Sequence, residues 1–169
     1  MRIGIISDTH SWLDLAVIEH FSDCDEIWHA GDIGSIDVLE ELESFKPVRA
    51  VFGNCDGYEI RRATKEHLTF MAGEKKVLLI HIGGYPGHYD RHALELIEKE
   101  KPDIFVCGHS HITRVMNDPK HGMLCINPGS AGHTGIHKVM TVLKVSVNGN
   151  SINDMEVIEF GNRRKGAGY

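Results

Sequence analysis

Asp8 and His10 follow a short apolar run at the start of the chain, and Asp32 closes the sequence His29-Ala30-Gly31-Asp32. Asn54, Cys55 and Asp56 follow Phe52-Gly53, His81 follows Leu79-Ile80, and His109 and His111 sit in Cys107-Gly108-His109-Ser110-His111. From Asp8 through Asp32, Asn54, His81 and His109 the steps are 24, 22, 27 and 28 residues, each the length of one strand-helix-strand return. The set contains two carboxylates (Asp8, Asp32), one amide oxygen (Asn54) and four imidazoles (His10, His81, His109, His111), with no thiolate among them. Seven nitrogen and oxygen donors are too many for one ion. They suit two divalent cations sharing a carboxylate, of the Mn2+, Fe2+ or Zn2+ kind rather than Ca2+ or a cysteine-rich structural zinc. Gly31, Gly53 and Gly108 each stand just before a donor, where a tight turn or a close backbone approach is needed.

The elements that must position these donors alternate. Residues 2–7 read as an apolar strand, 13–21 as a helix, 26–29 as a strand, and 36–45 as a helix with Ile36, Leu39, Leu42 and Phe45 on one face. Residues 48–52 read as a strand, and 68–71 with 76–81 as a hairpin across Ala72-Gly73-Glu74-Lys75. Asp90 N-caps a helix through Lys101, and 104–107 is the next strand. The donors then fall at the carboxyl ends of strands, the edge where open α/β sheets bind ligands. The back of the chain (123–126, 139–147, 152–160) is all strand. It predicts antiparallel pairing and a second sheet packed on a parallel front sheet.

Composition bounds the rest. With 41% hydrophobic and 25% charged residues the chain is globular, and no apolar run is long enough to span a bilayer. A net charge of −6 argues against general nucleic-acid binding, which needs clustered Lys and Arg. No C-x-x-C pair occurs and no secretory leader is read, so Cys24, Cys55, Cys107 and Cys125 are expected as free thiols in a reducing cytoplasm, all but Cys55 as core packing. One domain is expected over residues 1–160, with a basic, disordered tail over 161–169.

Asp8-Thr9-His10, Gly31-Asp32, Gly53-Asn54, His81 and Gly108-His109-Ser110-His111 together resemble the signature of the calcineurin-like metallophosphoesterases. The short length, Gly53-Asn54-Cys55-Asp56 and Asn127-Pro128-Gly129-Ser130 resemble the small bacterial and archaeal phosphodiesterase branch, to which the retromer small subunit is also similar. The resemblance covers roughly residues 2–160. It implies an α/β fold, a four-layer α/β/β/α sandwich of two mixed β-sheets flanked by helices. It also implies a first metal on Asp8, His10 and His111, a second on Asn54, His81 and His109, and Asp32 bridging both. The expected cofactors are two divalent ions per chain, Mn2+ first, with Fe, Zn or Ni as alternatives. The sequence departs from the pattern where Ile82 separates His81 from Gly83-Gly84, which leaves His88 as a competing ligand. Cys55 stands where larger relatives carry His, and matches the small branch.

The expected reaction is hydrolysis of a small phosphodiester, in which a hydroxide bridging the two metals attacks phosphorus in line. Two divalent ions outweigh Asp8 and Asp32, so an acidic protein still offers a cationic mouth. Asn54 and His109 belong to this catalytic set. Asp56 is expected to orient a metal ligand or the Asn54 loop, and Cys55 to stand at the place of a leaving-group acid. His29 reads as packing behind the ligands. Asn127, Gly129 and Ser130 read as a buttress of the rim or a plain turn, and His88 and His92 as exposed histidines near it. His20, His67, His121, His133 and His137 fall in no pattern. The rival reading is a partner-binding scaffold of the same fold, as in the retromer-type relatives. It predicts eroded ligands, whereas every donor position here is filled. The resemblance also implies a homodimer or homotetramer, and no membrane association is expected.

Overall fold

The computed structural model describes residues 1–135 and 138–162. In chain order the elements are β1 (Arg2–Ile6), α1 (Leu15–His20), β2 (Glu26–His29), α2 (Ile36–Phe45), β3 (Val48–Ala50) and α3 (Tyr58–Ala63), followed by β4 (His67–Ala72) and β5 (Lys75–Ile80). A small hairpin of β6 (Gly84–Tyr85) and β7 (His88–Tyr89) precedes α4 (Arg91–Glu100). The remainder is β8 (Ile104–Val106), β9 (Arg114–Asp118), β10 (Met123–Asn127), β11 (Val139–Asn148) and β12 (Ser151–Asn162).

Two five-stranded mixed sheets result, in the orders β12-β11-β1-β2-β3 and β4-β5-β8-β10-β9. The period-2 alternation of strand side chains explains the layering. Ile3 and Ile5 of β1, Val77 and Leu79 of β5, and Leu143, Val145 and Val147 of β11 fill the space between the sheets. The alternate side chains face the helices. Ile6 and Ile27 pack on Val17 of α1, Leu39 and Leu42 of α2 and Ile60 of α3. Leu78 and Ile80 pack on Ala93, Leu96 and Ile97 of α4. The order is therefore helix, sheet, sheet, helix, the four-layer sandwich implied by the resemblance.

The division of strands between sheets differs from the sequence expectation. The back strands β11 and β12 do not form a second sheet. β11 runs antiparallel beside β1, with Ile3 opposite Val145, and β12 lies outside it. The second sheet is made from the middle of the chain, where β5, β8 and β10 run parallel. β1 is buried along nearly its whole length, so both its edges need hydrogen-bonded neighbours: β2 takes one and β11 the other. Four of the elements, α3, β9 and the short strands β6 and β7, were not expected. α3 carries a single buried apolar residue, Ile60, and β9 is an edge strand with a mostly exposed pattern, so neither shows a strong periodicity. Gly161 and Asn162, expected in the tail, continue β12, and Asn162 pairs with Val139. His137 and residues 163–169 lie outside the described residues. Among the described residues, no helix is long and apolar enough to cross a membrane.

Candidate metal centre

The donors come from both sheets. β1, β2 and β3 lead into Asp8 and His10, Asp32, and Asn54, while β5 and β8 lead into His81, and His109 and His111. The site is thus built where the carboxyl ends of two packed sheets meet. The backbone is bent to aim these side chains. Asp8, His10, Asp32, His109 and His111 have φ of 57°, 48°, 53°, 66° and 56°, in the left-handed region. That conformation costs a non-glycine residue on the order of 1–2 kcal/mol, and such strain gathers where the surrounding structure enforces it. At Gly108 an added Cβ would lie 2.0 Å from Ser7 Oγ, and at Gly53 2.1 Å from Asp32 Oδ1, so both turns require glycine.

Asp8, His10 and His111 bring ligand atoms together in one group, and Asp32, His81 and His109 in another. In the first, Asp8 Oδ1 lies 3.1 Å from His111 Nε2 and 4.0 Å from His10 Nε2, and the two imidazole nitrogens are 3.5 Å apart. Asp8 Oδ2 accepts hydrogen bonds from Ser7 Oγ (2.6 Å) and the His109 backbone N–H (3.1 Å). Asp8 Oδ1 is buried and accepts none. A buried carboxylate oxygen without a partner is costly, and a cation beside it would remove that cost. The donor set therefore fits a divalent ion.

In the second group, Asp32 Oδ2 is 3.3 Å from His81 Nε2, and it is also 3.9 Å from His10 Nε2 of the first group. Asn54 Oδ1 is 3.1 Å from His81 Nε2. His81 Nδ1 donates to the Ala30 carbonyl at 2.7 Å, which leaves Nε2 as the nitrogen of the neutral ring that could hold a metal. Burial alone would raise the pKa of Asp32, but hydrogen bonds from His81 and the Cys55 N–H hold its carboxyl well below the usual carboxylate range. Burial alone would lower His81, but its hydrogen bond to Asp32 and the nearby carboxylates raise it. In the metal-free molecule the nearby carboxylates thus favour the protonated form of His81.

Asp56 joins neither group. Its buried carboxylate accepts from the backbone N–H of Gly53 (2.7 Å), Gly34 (2.7 Å) and Ile33 (3.2 Å), tying the Asp32 loop to the Asn54 loop. Cys55 is exposed, and its thiol groups with ligand atoms of His10 and Asp32. Burial, the hydrogen bond to Asp32 and nearby carboxylates push that thiol up to about 11. His29 is fully buried: its Nδ1 accepts from the Gly31 N–H, and its Nε2–H donates to Thr9 Oγ1, which in turn donates to the Ile33 carbonyl. Ser130 Oγ donates to the Asp8 carbonyl and Asn127 Nδ2 to that of Gly108, so this turn braces the rim. His88 is exposed on the β6–β7 hairpin beside Tyr85 and belongs to neither group.

Sequence reasoning missed Arg61, whose guanidinium donates to the carbonyls of Asp56 and Gly53 and stacks over Phe52, holding the Asn54 loop from outside. It also missed a cluster of Glu66, His67 and His92. Glu66 and His92 lie on the wall of a pocket of about 280 Å³ that also includes Asn54 and His81. No local motif marks these residues, because α3, β4 and α4 bring them together only in the fold.

A two-sheet sandwich thus collects nitrogen and oxygen donors at its strand ends, in two groups that could each hold a metal ion. Residues 1–150 match the model of the calcineurin-like phosphoesterase superfamily domain, and the chain belongs to that family. It is 38% identical over 138 residues to a probable metallophosphoesterase of Methanothermobacter thermautotrophicus, covering 77% of each chain. It is 28% identical over 145 residues to a phosphodiesterase of Methanocaldococcus jannaschii, covering 76% of this chain and 83% of that one. Among solved structures, Vps29 of Entamoeba histolytica superposes with a TM-score of 0.74 at 19% identity, over 95% of this chain and all (100%) of the other. An archaeal phosphodiesterase superposes with a TM-score of 0.72 at 23% identity, over 94% and 100%. These two likenesses show the shared fold.

Proposed function

We propose that the protein is a phosphodiesterase working with two divalent cations. Asp8, His10 and His111 would hold one, Asn54, His81 and His109 the other, and Asp32 would bridge them. The observation that carries this reading is the place of the Asp32 carboxylate, within 4 Å of ring nitrogens from both groups. When bound, such a pair supplies Lewis-acid chemistry: it makes water nucleophilic near neutral pH and offsets charge on the phosphoryl oxygens. The mixed imidazole and carboxylate donor set accommodates Mn2+, Fe2+, Zn2+ or Ni2+ rather than Ca2+. The chain's own residues position everything else. Ser7 and the His109 N–H fix one oxygen of Asp8 so that the other faces the site, and the Ala30 carbonyl fixes the His81 ring. Asp56 and Arg61 clamp the loop that presents Asn54.

Cys55 bears on which esters are cleaved. A thiol, with an ordinary pKa of about 8.5, is a poorer acid toward a departing alkoxide than the imidazole, at about 6.5, that larger relatives carry in its place. Substrates with good leaving groups, aryl phosphodiesters first, are therefore preferred over alkyl monoesters. The test is hydrolysis of aryl diesters and monoesters across a series of leaving-group pKa values by Mn2+-loaded protein. Diester cleavage that depends steeply on leaving-group pKa is expected, with a shallower dependence in Cys55→His. Metal-replete protein that cleaves none of the diesters would overturn the reading. The scaffold alternative expects lost donors, and every position here keeps one.

A further inference from the structure

A second pocket, of about 260 Å³, opens on the other side of the centre, beside His109. Ile82 and Asp90 line both pockets, so the two are neighbours along one cleft. Arg114, at the start of β9, lines this second pocket. Its guanidinium lies 3.8 Å from the centroid of the Tyr85 ring, a stacking contact that holds it in place. Among the described residues it has no carboxylate partner, whereas Arg2, Arg49 and Arg91 are ion-paired. The carboxylate on the wall, Asp90, is turned to the first turn of α4, where it accepts from the N–H groups of His92 and Ala93.

Ser110 adds a second unused donor. Its Oγ accepts from Asn127 Nδ2 at 3.2 Å and from the Ile112 N–H at 3.3 Å. Its own O–H donates to no acceptor among the described residues. A fixed cation and a spare hydroxyl thus face one pocket whose other walls, Ile82, Tyr85 and Ile112, are largely apolar. Water satisfies such groups in the free protein, and an anion satisfies them better, through charge-assisted and bidentate hydrogen bonds.

We propose that the Arg114 pocket is an anion subsite that holds a second negatively charged group, a phosphate or a carboxylate, carried on one ester arm of the substrate. The proposal rests on the phosphodiesterase reading, since the subsite takes its place from the scissile phosphate near His109. It narrows the substrate to diesters that carry a further anion, with an apolar or planar stretch short enough to lie against Tyr85. Arg114 is then a specificity residue: it touches the substrate away from the bond that breaks.

The test uses three 4-nitrophenyl phosphodiesters with the same leaving group. Their second arms are 2-phosphoethyl, 2-carboxyethyl and the neutral 2-carbamoylethyl. With Mn2+-loaded full-length protein, at least one charged arm is expected to lower KM about tenfold or more relative to the amide, the size of one charge-assisted contact. The charged arm with the lower KM identifies the anion. In Arg114→Gln that ratio falls to within about threefold, and Arg114→Lys keeps part of it, because the charge remains and the fork is lost. Thermal melting of both variants checks that they are folded. Equal KM values for all three arms in the unmodified protein, or a ratio unchanged in Arg114→Gln, would overturn the subsite. Failure to hydrolyse any of the three tells against the phosphodiesterase reading instead, and calorimetric binding of the same compounds then decides the subsite alone.

Discussion

At the scale of single residues, Asp32 has the most demanding position. Its Oδ1 accepts from the Cys55 N–H at 2.8 Å, and its Oδ2 faces His81 and His10. One carboxylate with both oxygens committed cannot be replaced by an amide, which turns one acceptor into a donor. Asp32→Asn is expected to reduce bound metal to less than one ion per chain. It should also lower activity by more than about 100-fold, because loss of even an outer hydrogen bond to a ligand costs about 10–100-fold. Metal analysis of the purified variant beside its turnover checks this. A variant that keeps two ions per chain and normal turnover would show that Asp32 bridges nothing.

At the scale of elements, the site depends on loops that are tied to one another. Asp56 accepts three backbone N–H groups from two loops, and Arg61 on α3 closes the same loop from the other side. Asp56→Ala leaves those donors unpaired in a buried place. It should lower stability by about 3 kcal/mol or more, since hydrogen bonds to a charged group are each worth about 1.5–3 kcal/mol. Metal affinity should fall with it, by about 10–100-fold, because the Asn54 and Asp32 loops are no longer held in register. Urea denaturation of the metal-free variant measures the first effect and a competitive chelator titration the second. Stability unchanged to within about 0.5 kcal/mol would remove Asp56 from this role.

At the scale of the whole molecule, the buried histidines make stability depend on pH in two directions. His29 is held neutral by burial, with its pKa lowered to about 4, and its Nδ1 already accepts a hydrogen bond. Below about pH 6.5 the unfolded chain binds a proton at this residue and the folded chain does not. The contribution is therefore fully present above that pH, falls away as the pH drops toward about 4, and levels off below it. Its size is on the order of 3 kcal/mol. His81, raised by Asp32, works in the opposite sense: its contribution is full below about pH 6.5 and is lost as the pH rises through its raised pKa. Metal-free protein is expected to lose stability in urea between about pH 6.5 and 4.5, while nitrogen NMR shows His29 still as the neutral Nε2–H tautomer at about pH 5. A charged His29 at that pH would contradict this account.

What the sequence determined by itself was chemical and local. Asp8, His10, Asp32, Asn54, His81, His109 and His111 are visible as donors at strand ends because side-chain type and spacing are written along the chain. The ranges of β2 and α2 follow from their apolar periods for the same reason. The tertiary structure alone decided the partnerships. The pairing of β1 with β11 joins residues far apart in the chain, such as Ile3 and Val145, and no local pattern states which free edge a strand will take. That pairing sends the middle strands into the second sheet and brings His81 and His109 across from Asp32. It also sets Asp56 behind the loops and Arg114 beside His109, because these contacts depend on how two sheets pack rather than on neighbours in the chain.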